Sequence, residues 1–319
     1  MSDPNKEYRC KLHLGNDKWC YVDGYLQGVA DSMVYNLGKD WDFCITVTGD
    51  RMVRTGKSVL AMNFGAYCAK RISQVYKIDY KFTNDNIFFD SQTMIDAAQK
   101  MPKYSVVQYD EAREGLAAIK AMSKLQQDLM DFFNECGQLN HIFILVLPDF
   151  FTLKEEMAIA RSECLINVVR TDETKMINMY GDGKRPVTHF KRGKFNFYNR
   201  YTKQNMFDFA RSSKRRNYGI VNPTCYGYFK NIYPIDEDEY RKNKADALAR
   251  FKERHEKASL PSCKADIIRN KIIAKLRGDG MTFKKIGEEL KAKYGYDVGE
   301  RNINQIYNKQ INTTETVLA

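Results

Sequence analysis

The sequence predicts an α/β fold built on a mainly parallel sheet. Strand-like apolar runs alternate with helical segments through residues 40–170, which is the pattern of such a sheet. One of these runs, 142–147, is too continuously apolar for a half-exposed strand, as expected for a sheet covered on both faces. A glycine-bounded loop also leads directly from a strand into a helix within residues 43–69.

That loop has the composition of a phosphate-binding loop. Gly56-Lys57-Ser58 opens the helix, so backbone N–H groups and the helix N-terminus are expected to face phosphates. Lys57 is expected to reach the β- and γ-phosphates, and Ser58 to offer its hydroxyl to Mg²⁺. Six residues separate Gly49 from Gly56, where the motif usually has four, so the loop is lengthened or the match is accidental. The predicted nucleotide-binding residues are Gly49, Arg54, Thr55, Gly56, Lys57, Ser58 and Val59.

A second motif supports the first. The apolar run from Tyr104 ends in two adjacent carboxylates, Asp110 and Glu111. Such a pair is typical of the Walker B strand, in which the first acid holds Mg²⁺ and the second activates the attacking water. Acid pairs are common by chance on surfaces, but a pair at the end of a buried strand downstream of a Gly-Lys-Ser is much less common. The order of the two motifs therefore favours a nucleotide site.

Two further residues have a functional and a structural interpretation. Asp149 follows the apolar run 142–147 and is predicted either to sense the γ-phosphate or to cap a turn. Arg161 precedes a predicted strand over 165–169, where an arginine can act in trans on the nucleotide of a neighbouring subunit. The alternative for Arg161 is a surface salt bridge.

The net charge of +11 is concentrated in one segment. Residues 184–216 hold eleven basic residues against one acid, interleaved with seven phenylalanines and tyrosines. Short alternating runs over 176–180, 187–191 and 194–198, with turns at 181–183 and 192–193, predict a basic β-hairpin extension at the sheet edge. Cations beside aromatic rings favour nucleic acid, contacted by Lys191, Arg192 and Lys194. The alternative is a solvated hairpin whose aromatic rings belong to the core.

The C-terminal part predicts a small all-helical domain. Three short helices with a tight second connection suggest a helix-turn-helix-like module that binds DNA, although a plain three-helix interaction domain would show the same pattern. Its predicted DNA-binding residues are Arg301, Asn302, Asn304, Gln305 and Lys309. The predicted domains are an N-terminal segment with a helix (1–39), a nucleotide-binding domain (40–205), a surface segment with a charged linker helix (206–260) and the helical domain (261–319).

Residues 40–200 resemble the P-loop ATPases of plasmids and viruses. Thr48-Gly49, Gly56-Lys57-Ser58, Asp110-Glu111-Ala112 and the segment 140–149 followed by Arg161 look like HerA/FtsK-like DNA-pumping ATPases and zonula occludens toxin-like packaging proteins. The helical tail is similar to versions from archaeal mobile elements. The resemblance implies a P-loop NTPase fold, ATP and Mg²⁺ as cofactors, DNA as partner and a homo-oligomeric ring. It also implies catalytic roles for Lys57, Glu111 and Arg161, and metal binding by Ser58 and Asp110.

The expected function is Mg²⁺-dependent ATP hydrolysis coupled to translocation, packaging or mobilisation of DNA. The alternative is a non-catalytic, nucleotide-binding DNA regulator, or a replication or partition factor. The longest apolar run is too short to span a bilayer, and the polar first residues contain no visible signal peptide. Together with eight scattered cysteines that lack a CxxC pair, this predicts reduced thiols and a cytoplasmic protein, in the host cytoplasm if the chain is viral.

Overall fold

The computed structural model describes residues 11–15, 18–49, 54–110, 124–179, 183–259 and 264–317. The chain divides into two compact units, residues 1–247 and 248–319. The first unit contains the sheet, and the second is helical.

The strands assemble into a sheet with a parallel centre and an antiparallel edge. They are β1 (Lys11–Gly15), β2 (Lys18–Tyr21), β3 (Phe43–Gly49), β4 (Ile87–Phe88), β5 (Val106–Asp110), β6 (Ile142–Leu147), β7 (Ser162–Met179), β8 (Gly183–Tyr198) and β9 (Cys225–Tyr228). Over the described ranges, β1 and β2 form a separate hairpin, and the other seven strands form one sheet in the order β4-β5-β6-β3-β7-β8-β9. The pairs from β4 to β7 are parallel, whereas β7-β8 and β8-β9 are antiparallel. The predicted mainly parallel sheet is confirmed.

The helices lie between these strands and beyond them. They are α1 (Gly24–Leu37), α2 (Lys57–Tyr76), α3 (Ser91–Ala98), α4 (Lys124–Glu135), α5 (Arg200–Ser213), α6 (Glu237–Ser259), α7 (Lys264–Gly278), α8 (Phe283–Tyr294) and α9 (Glu300–Val317). Between β6 and β7 the chain forms a 3₁₀ turn at Phe150–Thr152 and a π-helix at Glu156–Arg161. Among the described residues, no helix is both long and apolar enough to cross a membrane.

Alternation along the strands creates a core on each face of the sheet. In β6, Ile142, Ile144 and Val146 pack into the core beside α1 and α2, while Phe143 and Leu145 pack into the opposite core beside α3 and α4. All six residues of β6 are buried, which confirms that this strand is covered on both faces. In β5 the same alternation directs Val106 and Asp110 toward α2. The acid therefore faces the helix that follows the glycine-rich loop.

The edge hairpin differs from its predicted form. Strands β7 and β8 pair along almost their whole length, so the runs 187–191 and 194–198 belong to one strand. The predicted turn at 192–193 is wrong, because the pairing shifts register there and continues. Gly193 has φ +106°, and a Cβ at this position would lie 2.7 Å from the Phe229 carbonyl oxygen. The feature is a bulge that only glycine fits.

The aromatic rings of this region divide between core and surface. Phe195, Phe197 and Tyr198 are buried, so the core alternative is correct for them. Phe190, Tyr201 and Phe209 are exposed. The predicted stacking surface is therefore smaller than the sequence indicates.

In the second unit, α7, α8 and α9 pack around a small apolar cluster. Its buried members are Ile273, Leu276, Ile286, Leu290 and Ile303. Helix α8 ends at Gly295, which has φ +71° and whose N–H donates to the Leu290 carbonyl. This left-handed cap reverses the chain toward α9, as the predicted tight connection requires.

Lys203 on α5 is a buried lysine rather than a surface cation. Its Nζ donates to the backbone carbonyl oxygens of Ser162 and Ile159, and the side chain is fully inaccessible to solvent. Burial lowers the pKa of Lys203 to about 8. One of the eleven basic residues in the 184–216 segment therefore contributes nothing to the surface charge.

The lowered pKa of Lys203 predicts that the stability of the protein depends on pH. Because the folded pKa of Lys203 lies below the unfolded value, this side chain binds more protons in the unfolded chain between pH 8 and 10.5, and its contribution to stability must rise with pH in that window. Relative to Lys203→Met, the wild-type free energy of unfolding should increase by about 2 kcal/mol from pH 8 to pH 10. Urea titrations of both proteins at the two pH values measure this. A constant difference would contradict the assigned burial.

Candidate nucleotide-binding site

The candidate site lies at the edge of the sheet where the parallel strands end. β3 ends at Gly49, β5 at Asp110 and β6 at Leu147, and all three run in the same direction. Ligands of open α/β sheets bind beyond this edge. The residues of both predicted motifs that the structure describes lie there.

The two ends of the glycine-rich loop meet. A Cβ at Gly49 would lie 2.8 Å from Thr55 Oγ1 and 3.1 Å from Lys57 Cδ, so the last residue of β3 touches the start of α2. Residues 50–53, which contain most of the lengthened loop, lie outside the described residues. Arg54 is exposed and adopts a left-handed backbone at φ +58°. The loop is closed at its base despite its length.

Gly56 is required at the turn into the helix. Its φ is +99°, and a Cβ would lie 2.9 Å from Cζ of Phe229. The residue is the N-cap of α2 and has no side chain to cap the first turn, which contains no acidic residue. The amide groups of Lys57, Ser58 and Val59 therefore begin the helix without an intrahelical acceptor. Such a terminus favours an anion.

Thr55 supplies a further observation for a phosphate. Its side chain is fully buried, and its Oγ1 has no hydrogen-bond partner among the residues that the structure describes. A buried hydroxyl without a partner costs roughly 1–3 kcal/mol, so a ligand that accepts its proton would recover this energy. Together with the two glycines and the helix N-terminus, the unpartnered hydroxyl fits a phosphate group.

The metal-binding candidates meet directly. Ser58 Oγ donates to Asp110 Oδ1 at 3.1 Å, which joins the start of α2 to the end of β5 across 52 residues of sequence. The Asp110 side chain is 1% exposed. Within the described ranges no group of three His, Cys, Asp or Glu side chains is arranged to hold a metal. A hydroxyl and one carboxylate suit Mg²⁺, which is usually held by one or two carboxylates together with substrate phosphates.

Two residues that sequence reasoning missed contact the same carboxylate. Tyr240 Oη donates to Asp110 Oδ2 at 2.5 Å, and Lys244 Nζ lies 3.1 Å from the same oxygen. Both belong to the first turns of α6, which the sequence predicts to be a polar linker. That prediction is wrong for this part of the helix, because Tyr240 is buried and belongs to the core beside α2. Burial and the nearby Asp110 charge raise the pKa of Tyr240.

Asp149 takes part in a buried polar network beside the loop. It accepts from the Phe151 N–H at 3.2 Å and from Tyr218 Oη at 3.1 Å. The predicted turn cap is therefore present. Nearby, Thr48 Oγ1 donates to Asn167 Oδ1 at 3.3 Å between β3 and β7. Asn167 and Tyr218 were not identified from the sequence, although Asn167 is the one polar residue of the apolar run 165–169.

Arg161 lies at the opposite edge of the sheet. It precedes β7, and its Nη1 donates to Oδ1 of Asp42, which precedes β3, at 3.1 Å. Its Nη2 contacts the other Asp42 oxygen and Cys136 Sγ. Since β3 begins here and ends at the glycine-rich loop, the structure does not bring Arg161 to the candidate site. The salt-bridge interpretation is the one that the structure shows, in a half-buried form that lowers the pKa of Arg161.

Glu111 lies outside the described residues, and its predicted role stays a prediction.

The predicted DNA-binding residues fall into two groups, one on β8 and one on α9. Lys191 is paired with Glu173, Lys194 lies 5.8 Å from the Tyr228 ring centroid, and Arg192 is exposed at the bulge. Arg301, Asn302, Asn304 and Gln305 are exposed on α9, as expected for a contact surface, while the Lys309 side chain is not described.

Comparison with known proteins gives matches to solved structures only. No family model matches the sequence, and no curated protein matches it significantly. B204, the DNA-packaging ATPase from Sulfolobus turreted icosahedral virus, is 11% identical, covers 51% of this chain and 95% of its own length, and has a TM-score of 0.31. The N-terminal domain of zonular occludens toxin from Neisseria meningitidis is 12% identical, covers 50% of this chain and 84% of its own length, and has a TM-score of 0.29.

A third solved structure is the genome-packaging NTPase B204 from Sulfolobus turreted icosahedral virus 2 in complex with AMPPCP. It is 10% identical, covers 51% of this chain and 94% of its own, and has a TM-score of 0.30. These identities and TM-scores assign no activity to this chain. Its function has to follow from the geometry of the site.

The turn into α2 gives a testable consequence. Gly56→Ala should destabilise the protein by about 1–3 kcal/mol, because alanine is strained at this φ and would contact Phe229. Gly28→Ala is the matched control, since Gly28 lies in α1 with open space around its Cβ position and should stabilise the helix by about 0.5–1 kcal/mol. Chemical denaturation measures both. Equal stability of Gly56→Ala and wild type would contradict the described turn.

Proposed function

We propose that the protein is a Mg²⁺-dependent ATPase that acts on DNA. The observation that carries the proposal is the 3.1 Å contact between Ser58 Oγ and Asp110 Oδ1. The hydroxyl belongs to the glycine-bounded start of α2, which follows β3. The carboxylate ends β5, a buried strand that is separated from β3 by β6. Two motifs that are individually common are thereby joined in the relation that a nucleotide site requires.

Each residue has a role that its position supports. The N–H groups at the start of α2 and the Thr55 hydroxyl would hold phosphate oxygens, and Lys57 would neutralise their charge. Ser58 and Asp110 would hold Mg²⁺, which when bound neutralises charge on the transferred phosphoryl group. Glu111 directly follows Asp110 and is proposed to orient and activate the attacking water. Arg161 has no part in this proposal.

Action on DNA is proposed from the charge of the chain. The net charge is +11, and positive surfaces attract the phosphate backbone. The exposed side chains of β8 around Arg192 and Lys194 and the polar face of α9 are the proposed contact surfaces, with α8 and α9 as a helix-turn-helix-like module. A homo-oligomeric ring is proposed on the family resemblance alone, and sedimentation of the purified protein with and without ATP would test it.

Lys57→Ala tests the ATPase. It should abolish Mg²⁺-dependent phosphate release, because the charge that faces the phosphates is lost. Lys70→Ala is the control, as Lys70 is an exposed lysine on the same helix and should retain wild-type turnover. Phosphate release is measured with and without DNA. Undiminished hydrolysis by Lys57→Ala would remove the assignment.

The DNA surface is tested through salt dependence. The double variant Arg192→Ala/Lys194→Ala should reduce the slope of log affinity against log salt concentration by about 2, or roughly 1 per lost phosphate contact. The control is Lys70→Ala/Lys100→Ala, which removes the same charge from exposed positions elsewhere. Fluorescence anisotropy with a labelled duplex measures both slopes. Equal slopes for the two double variants would show that net charge, and not the surface around Arg192 and Lys194, attracts DNA.

The non-catalytic alternative is distinguished by the same assay. A nucleotide-binding regulator would bind ATP and DNA but release no phosphate above background under any condition. The contacts of Tyr240 and Lys244 with Asp110 favour this alternative, because they occupy the carboxylate that would otherwise bind Mg²⁺. DNA-stimulated phosphate release by the wild-type protein would exclude this alternative.

A further inference from the structure

The Asp110 carboxylate is surrounded by donors from distant parts of the chain. Oδ1 accepts from Ser58, whereas Oδ2 accepts from Tyr240 at 2.5 Å and from Lys244 at 3.1 Å. With the side chain only 1% exposed, these donors replace the water that would otherwise solvate the charge. A cation that binds Oδ2 must therefore displace one of them.

The first turn of α6 is anchored, so the position of Lys244 is defined. Asn84 Nδ2 donates to Glu239 Oε2 at 2.6 Å and to the Asp236 carbonyl at 3.3 Å. The Tyr240 ring packs 5.7 Å from the ring of Phe89, measured between centroids. These contacts bring the lysine, one helical turn after Tyr240, over the carboxylate.

An ammonium group and Mg²⁺ would compete for the same carboxylate. Two cations within about 4 Å of one another repel strongly even at an intermediate dielectric constant, so the Lys244 ammonium and a metal ion would not both remain on Asp110. Tyr240 is neutral and can stay in place. Lys244 is 28% exposed and has a flexible stem, so it is the group that can swing away.

We propose that Lys244 is a positioning residue that neutralises Asp110 before nucleotide binds and is displaced when Mg²⁺ arrives with the nucleotide. It holds the carboxylate in place for Ser58 and sets the Mg²⁺ concentration that the site requires. This inference rests on the proposed ATPase function, because the metal is the one that this function needs.

Lys244→Met tests the proposal, since it keeps the length of the stem and removes the charge. Binding of Mn²⁺, as a spectroscopic substitute for Mg²⁺, is followed by electron paramagnetic resonance with a non-hydrolysable ATP analogue present. The half-saturating metal concentration should fall by about tenfold, because the competing cation is gone. Lys242→Met removes the same charge from an exposed position on the same helix and should leave that concentration unchanged.

The opposite results are equally clear. An unchanged or increased half-saturating metal concentration in folded Lys244→Met would overturn the proposal. Lys244→Arg keeps the charge, so its half-saturating metal concentration should remain within about twofold of wild type. If thermal unfolding shows that Lys244→Met does not fold, Lys244→Gln replaces it. This variant also removes the charge of Lys244 but keeps a hydrogen-bond donor, and it should lower the concentration by about tenfold as well; no change would overturn the proposal. Absence of nucleotide-dependent metal binding in the wild type would instead reject the proposed ATPase function.

Discussion

The burial of the Asp110 carboxylate is the constraint on which the site depends. A carboxylate that is almost inaccessible to water costs several kcal/mol unless donors surround it. Ser58 from α2, and Tyr240 and Lys244 from α6, supply these donors. The Asp110 charge thereby holds the start of α2 and the first turns of α6 at the end of β5.

The phosphate-binding candidate also depends on the antiparallel edge of the sheet. The Phe229 ring packs against Gly56 at the start of α2, and the Phe229 N–H donates to the Gly193 carbonyl at 2.8 Å. A single residue therefore links the bulge in β8 to the glycine-rich loop. The edge hairpin is a support for the candidate site as well as a proposed surface for DNA.

The distribution of charge is less uniform than the composition indicates. Lys203 is inside the protein, Lys191 is paired with Glu173, and the Arg170 guanidinium lies 4.2 Å from the Phe190 ring centroid. Each of these cations is buried or engaged by local contacts, so the number of basic residues overestimates the field available to a polyanion. Exposed groups at the bulge and on α9 carry the proposed DNA contacts.

The sequence by itself determined the alternation of strands and helices through the parallel part of the sheet, the strand-loop-helix at 43–69 and the acid at the end of β5. These follow from periodicity and from neighbours along the chain. Only the tertiary structure decided that Tyr240 and Lys244 cover Asp110 and that Arg161 pairs with Asp42 at the far edge. The physical reason is that a buried charge takes whichever donor the fold brings within 3 Å or so, and no local pattern identifies a partner 130 residues away.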